Sequence, residues 1–167
     1  ILPAAVGFDG PETVLPLCDA LIAGGMPVLE ITLRAAGGME AIRLATSERP
    51  GVLVGAGTVL TPKQAEQALA AGARYLVSPG LDPDLVRISQ NAGSPILPGV
   101  ATPTEVQTAI KLGLEAVKFF PASILGGAKA IAALNGPFPG MKFVPTGGVN
   151  LETLEPYLLM KTILACG

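Results

Sequence analysis

An α/β chain folded as a (β/α)8 barrel is what this sequence predicts, on three observations. Short apolar runs alternate with amphipathic segments of helical period along the whole chain. Eight such runs occur, with seven helical segments between them. The runs show little polar–apolar alternation, as in parallel strands covered on both faces. A doubly wound open sheet uses the same units, but eight strands is long for it and no GxGxxG follows the first run. At 167 residues the chain falls below the usual lower limit of about 200 for a barrel, and a missing final helix accounts for part of the shortfall. A single barrel domain over residues 1–167 is expected.

The eight strands and five of the seven helices follow in order. The first strand is expected at residues 2–8 and the first helix at 12–23. Strands at 28–33 and 52–59 come next, then a helix at 63–71 with Thr61 as N-cap and Pro62 at its first position. Gly72 closes that helix, and strands at 75–78 and 96–100 follow. Thr102-Pro103 repeats the cap before a helix at 104–112, closed by Gly113. The remaining strands are expected at 116–120, 142–145 and 163–166, with helices at 128–134 and 151–160. The start lacks a Met and the end reads as a strand with nothing after it, so a fragment trimmed at both ends is expected.

Composition removes whole classes of function. Apolar residues make up 50% and charged residues 14%, with a formal charge of −2, which excludes a disordered chain and leaves no basic footprint for nucleic acid. Mean hydropathy is high at +0.55, yet no run approaches the ~20 apolar residues of a membrane span. Without histidine, a Ser-His-Asp or Cys-His triad and a His-ligated metal are impossible. Cys18 and Cys166 are too few and too far apart for a disulfide scaffold or zinc ribbon, and each sits in an apolar pattern that reads as inert core. Acid–base chemistry is left to carboxylates, Lys, Tyr or Cys.

Charges inside predicted strands are therefore informative. Glu30 and Arg34 lie in VLEITLR, and Lys118 lies in AVKFFPA. Strand alternation puts Glu30, Thr32 and Arg34 on one face and Leu29, Ile31 and Leu33 on the other. The apolar set faces the helices and the polar set the barrel interior, with Arg34 nearest the carboxyl-terminal mouth. A buried ion pair of Glu with Lys or Arg is the bland explanation. The approach to the strand ends, where barrel enzymes build their sites, favours chemistry. Burial and a neighbouring cation lower the pKa of a lysine, and the neutral amine attacks carbonyls. Thr58 ends GAGT, Ser78-Pro79-Gly80 and Pro98-Gly99 end two further strands, and Pro145–Val149, PTGGV, ends the seventh with a glycine pair that lets backbone N–H groups approach an anion. Phe119 reads as core, and Asp82, Asp84, Glu105 and Glu115 as helix-start or surface charges.

VLEITLR, VGAGTVL, SPG, LPGVATPTE, VKFFPA and PTGGV, in this order and spacing, resemble the KDPG aldolases over essentially the whole chain. These are class I 2-dehydro-3-deoxy-6-phosphogluconate aldolases of the Entner–Doudoroff route, also named 4-hydroxy-2-oxoglutarate aldolases. The resemblance implies Lys118 as the Schiff-base lysine and Glu30 as the general acid/base. It implies that Arg34 and Thr58 hold the substrate carboxylate, that Pro79 and Phe120 line the pocket, and that Thr146, Gly147 and Gly148 complete it, the glycines by binding phosphate. Ile31-Thr32-Leu33-Arg34, Ser78-Pro79-Gly80 and Phe119 favour the gluconate type over the related galactonate-pathway enzymes. The sequence departs from the family at Ala4-Ala5, where Val-Ile is common, and stops at Gly167 before the usual Gly-Ser-Trp.

The implied reaction cleaves a phosphorylated 2-keto-3-deoxy sugar acid to pyruvate and glyceraldehyde 3-phosphate. The imine is its electron sink, so no metal and no cofactor are expected. The resemblance also implies a homotrimer; a cytoplasmic protein without nucleic-acid or membrane partners is expected, and the missing end helices are expected to leave a fragment less stably associated than the full-length parent. Two other readings use the same residues: an isomerase with Glu30 as base and no covalent step, and an inactive barrel serving as an assembly module.

Overall fold

The structure, a computed structural model, describes residues 1–7 and 10–167. Its packing divides into two units: Leu2–Ser78 with Asp84–Ile96, and Ile1 with Pro79–Pro83 and Leu97–Gly167. Both are built of parallel strands alternating with helices, and within each unit consecutive strands pair in chain order.

The first unit holds β1 (Ala4–Ala5), β2 (Val28–Thr32), β3 (Leu53–Gly57) and β4 (Leu76–Ser78). The first strand is much shorter than the expected 2–8, and Phe8 lies outside the described residues. The first helix divides into a 3-10 turn at Pro11–Thr13 and α1 (Val14–Ala23). It is followed by α2 (Gly38–Glu48), α3 (Pro62–Ala70) and α4 (Pro83–Asn91), the last belonging to this unit from Asp84 onward. Helix α2 buries Ala41, Ile42 and Ala45, a helical i, i+1, i+4 stripe, and packs on α1, β2 and β3. Thr61 caps α3 as expected, its hydroxyl accepting from Gln64 N–H at 3.2 Å.

The second unit holds residues 97–100 of β5 (Ile96–Val100), then α5 (Pro103–Lys111), β6 (Ala116–Phe119), α6 (Gly127–Asn135), β7 (Lys142–Pro145) and α7 (Glu155–Leu158). Its core gathers Val106, Val117, Phe119, Ile131 and Phe143, so Phe119 is core as expected. Helix α5 starts with a full capping box. Glu105 Oε2 accepts from Thr102 N–H at 2.9 Å while Thr102 Oγ1 accepts from Glu105 N–H at 3.4 Å, so Glu105 is the helix-start charge expected of it. Gly72 and Gly113 take left-handed φ angles of 101° and 76° just past their helices, a conformation that costs a residue with a Cβ.

Two expected elements are corrected. The eighth apolar run, 163–166, forms a single bridge from Ile163 to Phe143 and no strand. Phe143 N–H donates to Thr162 O at 2.8 Å and Leu164 N–H to Phe143 O at 3.0 Å, but the next rung needs an N–H at Pro145, which has none. The helix expected at 151–160 shrinks to α7, which starts one residue before Pro156, because a proline is tolerated only in a helix's first turn and Pro156 would break a helix running through from 151. No helix among the described residues is long and apolar enough to cross a membrane.

Candidate active site

Burial alone singles out two charges. Among the described residues, Glu30 at 4% exposure is the buried carboxylate and Lys118 at 8% the buried amine, while every other Asp, Glu or Lys is half-buried or exposed. An ionised group taken out of water costs several kcal/mol unless its surroundings compensate, so two such positions mark function or a specific partner.

Glu30 sits mid-strand on β2, in register with Gly55 of β3, and Thr32 is in register with Gly57. Its flanking residues Leu29 and Ile31 are buried too, as alternation requires of a strand covered on both sides. Its carboxylate does not stay at its own level. It leans over Gly57, where a Cβ would come within 2.6 Å of Glu30 Cγ and closer still to Oε1. Thr58, the residue after β3, is the one non-glycine with positive φ among the described residues, at 57°. A β-branched residue there stores on the order of 1–3 kcal/mol of strain, and such strain clusters at functional positions.

Arg34 is corrected. It lies on the turn after β2 and is exposed, not inside a strand. The β2–β3 ladder closes with Leu33 N–H donating to Gly57 O at 2.8 Å, and the chain then turns into α2 at Gly38. Gly38 packs so near Thr32 O that a Cβ would lie 2.6 Å from it.

Lys118 sits on β6 between Gly99 of β5 and Val144 of β7. Its Nζ is 4.8 Å from the centroid of the Phe120 ring, a cation–π distance that offsets part of the desolvation of an ammonium group. Both side chains share a face, as the sequence predicts. Gly99 makes room for Pro79 and Gly80: a Cβ there would collide with the Pro79 carbonyl and stand 2.9 Å from Gly80 N. The loop after β7 is sewn to the segment after β6, with Thr146 N–H donating to Phe119 O at 3.0 Å, Ala122 N–H to Thr146 O at 2.8 Å and Ser123 N–H to Gly147 O at 3.0 Å. Gly147 and Gly148 have φ of 92° and 78°, and a Cβ on Gly147 would press on the Phe120 ring at 3.3 Å.

Pro79, Lys118, Phe120, Thr146, Gly147 and Gly148 thus belong to one unit, and Glu30, Arg34 and Thr58 to the other. No cluster of potential metal ligands occurs among the described residues. Burial pushes the thiols of Cys18 and Cys166 upward, so both stay protonated and unreactive at neutral pH. Sequence reasoning placed Gly99 at a strand end without its close approach to Pro79, and it missed Gly55, Gly57 and Tyr75. The alternation of glycines at 55 and 57, on one strand face, was the signal available for the first two.

The family model described as KDPG and KHG aldolase matches residues 2–167. A 2-dehydro-3-deoxy-phosphogluconate aldolase of Treponema pallidum is 47% identical over 97% of this chain and 77% of its own length. One of Haemophilus influenzae is 43% identical over 97% of this chain and 76% of its own. Among solved structures, a Legionella pneumophila KDPG aldolase with pyruvate captured at low pH as a covalent carbinolamine superimposes with a TM-score of 0.95 at 41% identity, covering 99% of this chain and 80% of that one.

Proposed function

Because the chain belongs to the KDPG and KHG aldolase family and is a lyase, we propose that Lys118 forms the Schiff base and Glu30 moves the protons in a retro-aldol cleavage of 2-dehydro-3-deoxy-6-phosphogluconate. The observation that carries the reading is the burial of Lys118: among the described residues it is the one lysine held out of water among apolar strand neighbours, a setting that disfavours the charged form of an amine. The Legionella relative's carbinolamine is the adduct of an amine with the pyruvate ketone, which supports imine chemistry for this chain.

The residue types supply each step. Neutral Lys118 Nζ adds to the C2 ketone, and loss of water leaves a protonated imine. Glu30 accepts the proton of the C4 hydroxyl as C3–C4 breaks. The electron pair of that bond flows into the iminium, giving an enamine and releasing glyceraldehyde 3-phosphate. Protonation at C3 and hydrolysis of the imine then free pyruvate and Lys118. Arg34 and Thr58 hold the substrate carboxylate, the guanidinium fork matching both of its oxygens. Pro79 and Phe120 line the pocket, and Thr146 with Gly147 and Gly148 takes the phosphate end, where left-handed glycines allow close backbone approach.

We read residues 1–167 as one aldolase domain of the (β/α)8 class, acting in the cytoplasm. Borohydride added with pyruvate is expected to reduce the imine to a stable adduct on Lys118, read by peptide mass spectrometry. Turnover without any adduct would overturn the covalent mechanism and favour simple proton transfer by Glu30.

The same reading includes a homotrimer. Ile124, Leu151 and Leu159 are 82%, 91% and 79% exposed, surface that symmetric association covers. Light scattering at micromolar concentration is expected to give the mass of three subunits, and the mass of one subunit would exclude it.

A further inference from the structure

Glycines 55 and 57 of β3 are absent from the positive-φ positions, so their small size, and not backbone freedom, is what the structure uses. Each makes room for one side chain. A Cβ at Gly55 would fall within 2.5 Å of Tyr75 Cδ2 and nearer to the rest of the ring edge, while a Cβ at Gly57 would collide with Glu30. Gly55 is in register with Glu30, and Ala56 with Leu76 puts Tyr75 beside Gly55. The Tyr75 ring therefore occupies the space across from Glu30 at its own level. The next level toward the strands' carboxyl ends, about 7 Å along for two residues, is left open by Gly57. The carboxylate takes that open place.

We propose that Tyr75 is a positioning residue: its ring, seated on Gly55, blocks the lower site and forces the Glu30 carboxylate up over Gly57, toward the end of the sheet where proton transfer takes place. Several observations converge on it. Tyr75 is 8% exposed, so the ring is almost wholly enclosed. Its hydroxyl is buried without a hydrogen-bond partner among the described residues, so no polar anchor explains the ring's placement; packing does. Burial, and then the charge of Glu30, push the phenol well above its ordinary pKa, so its hydroxyl stays neutral. A carboxylate free to choose between two levels would spend part of its time out of reach of substrate, and misplacement by about 1 Å costs on the order of 100-fold in rate.

The proposal rests on Glu30 acting as the proton shuttle, and the test separates the two. Tyr75→Val, Tyr75→Phe and Glu30→Gln, with the double variant Tyr75→Val/Glu30→Gln, are assayed for kcat and KM in the cleavage direction. Tyr75→Val is expected to lower kcat by on the order of tenfold or more with KM little changed, and Tyr75→Phe, which keeps the ring, to restore most of it. In the Glu30→Gln background, Tyr75→Val is expected to cost little further. An equal loss in both backgrounds, full activity of Tyr75→Val, or failure of Tyr75→Phe to rescue overturns the positioning role while leaving Glu30 in place. Wild-type kcat in Glu30→Gln overturns the Glu30 assignment and this proposal with it. Should Tyr75→Val fail to fold, Gly57→Ala keeps both side chains and displaces the carboxylate alone. It is expected to lose kcat while borohydride still traps pyruvate on Lys118, and undiminished kcat overturns the proposal.

Discussion

Replacing Lys118 with arginine is expected to abolish turnover while leaving the fold intact. Arginine keeps the positive charge, and its planar guanidinium stacks on an aromatic face as well as an ammonium does, so the contact with Phe120 at 4.8 Å survives. What it loses is the neutral form. A guanidinium stays protonated at every working pH and has no lone pair with which to attack a ketone. The variant should show the circular dichroism of the parent, no borohydride-stable adduct with pyruvate, and no cleavage above background. Activity above a few per cent of the parent would remove Lys118 from the covalent step. No other lysine among the described residues is buried, so none stands ready to replace it in a desolvated setting.

Glu30→Gln tests the other buried charge. The substitution is nearly isosteric, so the side chain can still lie over Gly57. It removes the group that accepts and returns protons. A positioned general acid/base contributes about 10²–10⁴ in rate, and kcat is expected to fall by that factor. Imine formation with pyruvate should persist at a reduced rate, because addition of the amine does not require cleavage of C3–C4. A variant with normal kcat and only a lower melting temperature would return Glu30 to a structural role, as a buried charge held by its surroundings.

Much of this was legible in the sequence. Glu30 and Lys118 stood out because a charge within an apolar strand is costly wherever the strand goes, and both are buried. Thr61 and Thr102 announced their helices through chemistry that reaches only three residues along the chain, and the hydrogen bonds are there. Arg34 went astray because strand alternation was carried two residues too far. β2 ends where its hydrogen bonds to β3 end, and that depends on a partner strand with its own stopping point at Thr58. The run at 163–166 has every local property of a strand and still makes only a bridge, because the missing donor belongs to Pro145 on the neighbouring strand.

By itself, then, the sequence determined the alternation of strand and helix, the caps, the inert cysteines and the identity of the two buried charges. These rest on periodicity, on hydrogen bonds within a turn and on the solvation cost of single groups, all properties of neighbours in the chain. The tertiary structure alone decided the level at which the Glu30 carboxylate lies, the need for glycine at 55, 57 and 99, the left-handed backbone of Thr58 and the seat of Tyr75. The level of the carboxylate, the glycines and the seat of Tyr75 are each set by an atom brought across from another strand or loop. Steric exclusion acts over a few ångströms in space, and residues 20 or more apart in the chain come within that range only once the sheet has formed.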